Sequence, residues 1–380
     1  MSTVRRALKR AESLLQRELI RVASAPSRVR PRVVDLRHPR RVLMVRHDWI
    51  GDMIMSTGVL RRIKEAHPEA DVDVIAGPSN AQVLDGLPFV RRVFVHRQGH
   101  VRDLPALRRE LRPLAYDAAL NGRVLRPKLT PDTALLLLLS GAARRVGVAG
   151  GGADFVYTDP VRVPSGAHFV RHVAALTQPL GLDPDVGDWR PTLHVAAEER
   201  DAAERLWAAA GPAGDHLLVN LSAREADRRW PDEHFAEALR QLNTTTPAVR
   251  VLVLALPAEF ARAKAIADAV GGAAVPPGGL RQAFALTATA DAVLTPDTGI
   301  AHAASAFATP TVVLMQPGKE RYLPYRTPGR YVMASGPTVV TIPAGAVAAA
   351  LQFVLSSRGR LEPECLPFSA PTPAAPAART

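Results

Sequence analysis

"RRVLMVRHDWIGDMIMSTGVLRRIKEAHPEADVDVIAG" occupies Arg40 to Gly77, and its reading decides the fold. Residues 42–45 are the short apolar run of a buried strand, and Met53 to Ile63 repeats its apolar residues at helical spacing. A further apolar run follows at 72–76. Strand, turn, helix and strand in this order begin a parallel α/β sheet. The turn carries one glycine, Gly51, and two acids, Asp48 and Asp52. A dinucleotide-binding turn has the pattern G-x-G-x-x-G and keeps acids away from the pyrophosphate. The two carboxylates therefore pose the question of what the crevice at the end of this strand receives.

The same alternation runs outward from that stretch. Strands are expected at 41–46, 72–76, 92–95, 117–120 and 144–148, with helices at 52–66, 79–86, 102–112, 131–141 and 167–181. "GLDPDVGDWRP" (181–191) interrupts the pattern with glycine, proline and aspartate and reads as a hinge. A second alternation follows. Helices are expected at 197–210, 232–242, 258–270, 279–289, 299–307 and 344–356, and strands at 216–221, 249–255, 273–275, 291–294 and 311–315. A chain of 380 residues is long for one core. Two α/β domains facing one another would leave a cleft at the carboxyl ends of their strands, where such sheets bind ligands. The expected domains are an N-terminal domain over 41–190, a C-terminal domain over 191–342, a last helix over 343–358 and a low-complexity tail over 359–380 that reads as disordered.

Charge is uneven. The net charge is +12, and residues 1–40 hold eleven Lys/Arg against three acids. A basic extension on a nearly balanced body points to an anionic surface as partner rather than to nucleic acid. Residues 3–23 read as a basic amphipathic helix, with Val4, Leu8, Leu15, Leu19 and Val22 on one face. Such a helix either lies in the headgroup layer of an anionic membrane or packs on protein. Pro26 to Pro39 reads as a linker. No apolar h-region follows the basic N-terminus, and the apolar run around Leu135–Leu139 is far shorter than the ~18 residues of a membrane span. The single cysteine, Cys365, admits no disulfide within the chain and suits a reducing compartment.

Three stretches could carry chemistry. In "RHDWIGDM", Asp52 falls at the start of the first helix, and Gly51 gives the turn freedom and room for a bound molecule. Asp52 reads either as a functional carboxylate or as an N-cap. The helix dipole is expected to lower its pKa, which weakens it as a base, and Asp48 reads as a turn residue. In "NLSAREADRRWPDEHF", Arg224, Arg228 and Arg229 either grip a pyrophosphate or form a solvated basic loop. In "LTPDTGIAH", the helix that opens after Asp297 and Thr298 offers N–H groups to a phosphate. There Gly299 permits close approach, Asp297 could accept from sugar hydroxyls, and His302 lies one turn on. The alternative is an Asx turn with a core histidine. The eleven histidines are scattered, and the sequence has no metal-ligand spacing.

Taken in order, these stretches resemble the ADP-heptose:lipopolysaccharide heptosyltransferases, glycosyltransferase family 9. The carriers are "RVLMVRHDWIGDM", "SGAARRVGV" (140–148), "HFVRHVAALTQPLGLD" (168–183), "RRWPDEHFAEAL" (228–239) and "DTGIAH" with "ATPTVV". The resemblance spans roughly residues 41–316. It implies a GT-B fold of two Rossmann-like domains facing a central cleft, with the last helix returning to the N-terminal domain. It implies inverting transfer without a metal or other cofactor, from a nucleotide-sugar donor, ADP-heptose, to a lipid-linked glycan acceptor. By resemblance Asp52 is the catalytic base, with Gly51 beside the acceptor. Arg228 stands at the family's phosphate-binding lysine, Thr298 and Gly299 are helix-start phosphate contacts, Asp297 holds sugar hydroxyls, and His302 matches the family histidine. The family's Gly-Pro-Thr after the last strand is replaced by "MQPGKERYLPYR" (315–326), where Lys319 or Arg321 is a candidate substitute. The expected location is the cytoplasm, at the inner face of the cytoplasmic membrane. Two competing readings are the same fold with another nucleotide-sugar, for a capsule or O-antigen, and a catalytically silent membrane-tethered scaffold.

Overall fold

The computed structural model describes residues 32–124, 130–150, 154–163, 166–211, 213–246, 248–357 and 359–368. The expected helix over 3–23 lies outside them. The chain forms two compact units that divide between His194 and Val195.

The first unit is a parallel sheet of β1 (Arg41–Arg46), β2 (Asp71–Ala76), β3 (Arg92–Val95), β4 (Ala118–Asn121), β5 (Arg144–Val148) and β6 (Asp159–Val161), in the order β3-β2-β1-β4-β5-β6. Its helices are α1 (Ile50–Ala66), α2 (Leu104–Leu111), α3 (Pro131–Leu139) and α4 (Phe169–Ala174). β1 lies between β2 and β4, with Val42 opposite Val72 and Ala118. Val42 to Val45 are fully buried, as a central parallel strand covered on both faces requires. α1 buries Met53, Ile54, Met55, Val59, Leu60 and Ile63.

The second unit orders its strands β13-β12-β11-β10-β7-β8-β9. They are β7 (Asp215–Asn220), β8 (Val249–Leu254), β9 (Ala273–Ala274), β10 (Ala292–Pro296), β11 (Thr311–Met315), β12 (Gly329–Met333) and β13 (Cys365–Pro367). The helices are α5 (Ala197–Ala209), α6 (Asp232–Thr245), α7 (Phe260–Val270), α8 (Leu280–Thr289), α9 (Gly299–Phe307) and α10 (Ala344–Ser356). Every strand pair in both sheets is parallel.

Several expectations are corrected. The helix expected over 79–86 is a 3-10 turn, Ala81–Leu84, because the Asn80 carboxamide oxygen accepts from Gly77 N (2.8 Å) and closes a local loop instead. The helix expected over 167–181 is α-helical only through Ala174 and continues as 3-10 turns to Leu180, with Pro179 unable to donate a helical hydrogen bond. The stretch 181–191 is no free hinge. Trp189 is fully buried, Arg61 donates to Asp188 O (2.9 Å), and Thr192 N donates to Thr57 Oγ1 (2.8 Å). The backbone at Trp189 comes so near α1 that a Cβ on Gly58 would lie 2.3 Å from Trp189 O. This segment belongs to the first unit, and the boundary falls later than 190.

The last helix belongs to the second unit. α10 packs on α6 and on β10, β11 and β12, burying Val347, Leu351 and Val354 in the core of the second unit. The region 359–380 is not wholly disordered: Cys365–Pro367 adds β13 to the edge beside β12, while residues 369–380 lie outside the described residues. Arg32, midway along the expected linker, donates to Ala115 O (2.8 Å) and pairs with Asp117 (2.5 Å), so the linker from Arg32 onward is fastened to the first unit. Among the described residues no helix is long and apolar enough to cross a membrane.

Candidate active site

In the first unit the site grows from the carboxyl end of β1. Trp49, in extended conformation, is the N-cap residue of α1, so Asp52 stands at the third helical position and is not the cap. Gly51 is a helical residue outside the left-handed region, which corrects the expectation that it frees the turn. Asn80 Nδ2 donates to the carbonyl oxygens of both Arg46 and Asp48 (3.3 Å each) and holds the turn's backbone from β2's side.

Arg46 is 1% exposed, the last residue of β1, and it organises the acids. One amino group donates to Gly122 O, and the guanidinium lies 5.3 Å from the centre of the Phe169 ring. Its Nε is 3.1 Å from Asp48 Oδ1 and its Nη2 is 3.3 Å from Asp52 Oδ1. Arg123 Nε lies 3.5 Å from Asp48 Oδ2, and its Nη1 donates to Thr130 Oγ1 (3.2 Å). Burial pushes the Asp52 carboxyl up to about 6. Arg46 and Arg123 oppose that rise, and Asp48 adds to it by its charge and by a hydrogen bond. The expected lowering by the helix dipole is therefore outweighed by desolvation. A fifth of the Asp52 side chain stays open to solvent, so a hydroxyl group can reach it.

Beside this network Asp132, at the start of α3, sits between two buried imidazoles, with His47 Nε2 and His96 Nε2 each 3.1 Å from one of its oxygens. Burial acts to raise the Asp132 carboxyl, but the two histidine hydrogen bonds hold it below the usual range. Sequence reading singled out none of Arg46, Arg123, His47, His96 and Asp132. Arg46 and His47 are neighbours at the end of β1, and the other three stand on separate segments with no spacing to flag them.

In the second unit the site lies at the carboxyl ends of β7 and β10. Arg228 Nη1 donates to Asp297 O (3.0 Å) and lies 3.2 Å from Asp297 Oδ2. Burial raises the Asp297 carboxyl, against the charges of Arg228 and Lys319. Asp297 precedes α9 and is not its cap. Thr298 is the N-cap, and its hydroxyl pairs with Asn220 Nδ2 (3.1 Å) and Thr295 Oγ1 (3.0 Å) instead of closing on the helix's own N–H groups. Gly299 is the first helical residue, and His302 is buried one turn on.

The loop after β7 brings Arg228 to Asp297, whereas Arg229 turns back to Ala223 O (3.0 Å) and Arg224 is 3.7 Å from Glu225. Trp230 is buried and donates to Ile342 O (3.0 Å), which anchors that loop. In "MQPGKERYLPYR", which stands in place of the family's Gly-Pro-Thr, Gln316 Nε2 donates to Asp227 Oδ2 (3.0 Å) and Pro337 O (2.6 Å). Of the two candidate substitutes, Lys319 lends its charge to Asp297, while Arg321 stacks over Tyr322. Asn220 and Gln316 also escaped the sequence reading. Among the described residues no group of three or more His, Cys, Asp or Glu side chains is placed to hold a metal ion.

Two Rossmann-like parallel sheets, one presenting a carboxylate and the other an arginine, an aspartate and an open helix start at their strand ends, define the GT-B class of glycosyltransferases. The model of Glycosyltransferase family 9 (heptosyltransferase) matches residues 104–333. The chain belongs to that family and is a glycosyltransferase. It is 25% identical over 309 residues to lipopolysaccharide heptosyltransferase 2 of Escherichia coli, covering 75% of this chain and 85% of the relative. To the lipopolysaccharide core heptosyltransferase OpsX of Haemophilus influenzae it is 21% identical over 289 residues, covering 73% and 79%. Among solved structures, a family 9 glycosyl transferase from Veillonella parvula superposes with a TM-score of 0.73 at 16% identity, covering 85% of this chain and 99% of that one. The E. coli ADP-heptose heptosyltransferase II gives 0.68 at 22% identity, covering 83% and 99%. These superpositions speak for the fold.

Proposed function

We propose that the protein transfers heptose from ADP-heptose to a lipopolysaccharide-core-type acceptor, inverting the anomeric centre and using no metal. The observation that carries the reading is the placement of Asp52 on the first turn of α1, 3.3 Å from the Arg46 guanidinium and a fifth open to solvent, where burial lifts its carboxyl to about 6. A carboxylate in that range is ionised at neutral pH yet basic enough to take a hydroxyl proton. In this reading Asp52 accepts the proton of the acceptor hydroxyl as its oxygen bonds to the anomeric carbon. The bond from that carbon to the diphosphate breaks, and its electron pair leaves with ADP. Arg228, Thr298 and Gly299, with the N–H groups at the start of α9, meet the charge growing on the diphosphate. Asp297 holds sugar hydroxyls, His302 lies one turn into α9, and Gly51 borders the acceptor. The acceptor is lipid-linked, and the enzyme works in the cytoplasm at the inner face of the membrane, with residues 3–23 as the element that touches it.

The test is calorimetric titration with ADP, GDP and UDP in the presence of a chelator, followed by transfer from the diphosphate sugar that the preferred nucleotide indicates. Selective binding of ADP supports the proposal. Preference for GDP or UDP replaces the donor and moves the function to another glycan. Binding of none of the three by a folded sample favours the scaffold.

A further inference from the structure

The proposed reaction leaves Asp48 unexplained. A residue that only shaped the turn would be redundant, since Asn80 already holds the carbonyls of Arg46 and Asp48. Yet the Asp48 side chain is 10% exposed, faces two guanidinium groups at 3.1 and 3.5 Å, and shares the Arg46 guanidinium with Asp52, which lies 3.3 Å from it. A carboxylate is costly to bury unless it is paired, and here it is paired on both sides. Arg46 is equally committed: one nitrogen reaches Gly122 O, one reaches Asp48, one reaches Asp52, and the Phe169 ring covers it. The charged groups that reach Asp52 are Arg46 from β1, Asp48 from the turn and Arg123 from the segment after β4.

We infer that Arg46 and Asp48 are a buried pair of positioning residues that act on Asp52 in opposite senses, Asp48 accepting the hydrogen bond of its protonated carboxyl and Arg46 stabilising its ionised form. The inference rests on Asp52 being the base. When the acceptor proton arrives on Asp52, the new O–H points at the Asp48 carboxylate, which Arg46 and Arg123 pair from either side. When the products leave, Arg46 favours release of that proton to water. Asp48 thus strengthens the base, and Arg46 keeps it from staying protonated at neutral pH.

The experiment is the pH dependence of kcat/KM for transfer from ADP-heptose to a truncated lipopolysaccharide acceptor, for wild type, Asp48→Asn, Arg46→Met, Arg46→Lys and Asp52→Asn. Each is first shown to melt cooperatively. The acid limb is expected to move down by about one pH unit in Asp48→Asn and up by about one unit or more in Arg46→Met, with Arg46→Lys in between. A purely structural role would lower the rate without moving the limb in opposite directions. Limbs that stay in place, or move the same way in both variants, overturn the inference. If Arg46→Met does not fold, Arg46→Lys and Asp48→Asn decide it by the same criterion. Wild-type rate and limb in Asp52→Asn would instead refute the base itself, so the two failures are distinguishable.

Discussion

The starts of α1 and α9 are the same supersecondary unit, a buried central strand that turns into a helix, yet they hold a carboxylate differently. Asp52 lies inside the first turn of α1, where a negative charge occupies the positive end of the helix. Asp297 lies before the N-cap of α9, drawn aside by Arg228, and Thr298 turns its hydroxyl toward Asn220 and Thr295. In the proposed reaction the first arrangement presents a base to a neutral hydroxyl. The second leaves helix N–H groups for an anion. On that proposal, the placement of one carboxylate relative to the helix boundary separates a proton-accepting end from a phosphate-accepting end, with no change of fold.

The contrast can be broken at either end. The largest effect is expected from Asp52→Asn, which should lower kcat by about 10²–10⁴-fold, the usual worth of a general base, and leave ADP affinity unchanged. Single-turnover transfer together with calorimetry reads both quantities. A loss of ADP affinity of similar size would mean that the two helix starts do not divide the labour. Arg228→Ala should do the reverse and weaken ADP binding by about 10- to 100-fold, as loss of a charge-assisted contact does, with Arg228→Lys retaining part of it.

The smallest effect lies in stability. The Asp52 carboxyl sits at about 6 in the fold, above its ordinary 3.8, so the folded chain binds the extra proton between those values. Its contribution is therefore present below about pH 4 and is lost as pH rises through about 6. Asp52→Asn should melt a few degrees higher than wild type at pH 8 and converge with it near pH 4, at about 2–4 °C per kcal/mol. A variant that melts lower at pH 8 would show that attraction to Arg46, not desolvation, governs the site.

Much of this architecture was legible because buried parallel strands write themselves as mostly apolar runs. "VLMV", "VDVIA" and "TVVLM" are strands in place, and the two rounds of alternation gave the two sheets. The strands that went unread are short or masked by their composition: β6 is "DPV", β12 opens on Gly329 and Arg330, and β13 is "CLP". "GLDPDVGDWRP" has the composition of a hinge, and only the burial of Trp189 against α1 shows that it is fixed.

The candidate site was legible where a motif repeats known spacing, at Asp52, Arg228 and "DTGIAH". Its electrostatics were not. The dipole of α1 can be read from helix position, but the desolvation that outweighs it depends on how Arg46, Phe169, Gly122 and Arg123 come together from three separate segments. Asn220 and Gln316 each stand alone in the sequence and gain meaning only from the loops they join.

β13 has a consequence for how the chain can be shortened. It is the outermost strand of the second sheet, fastened by Phe368 N to Tyr331 O (2.9 Å) and by Arg330 to Glu362 (3.2 Å), with the Cys365 side chain packed beside Val313 and Met315. It is three residues long and ends in Pro367, which has no N–H to offer a further strand. It therefore works as a stopper. A truncation before residue 361 would uncork the five-residue border of β12, and an unprotected sheet border is a template for stacking one molecule onto the next.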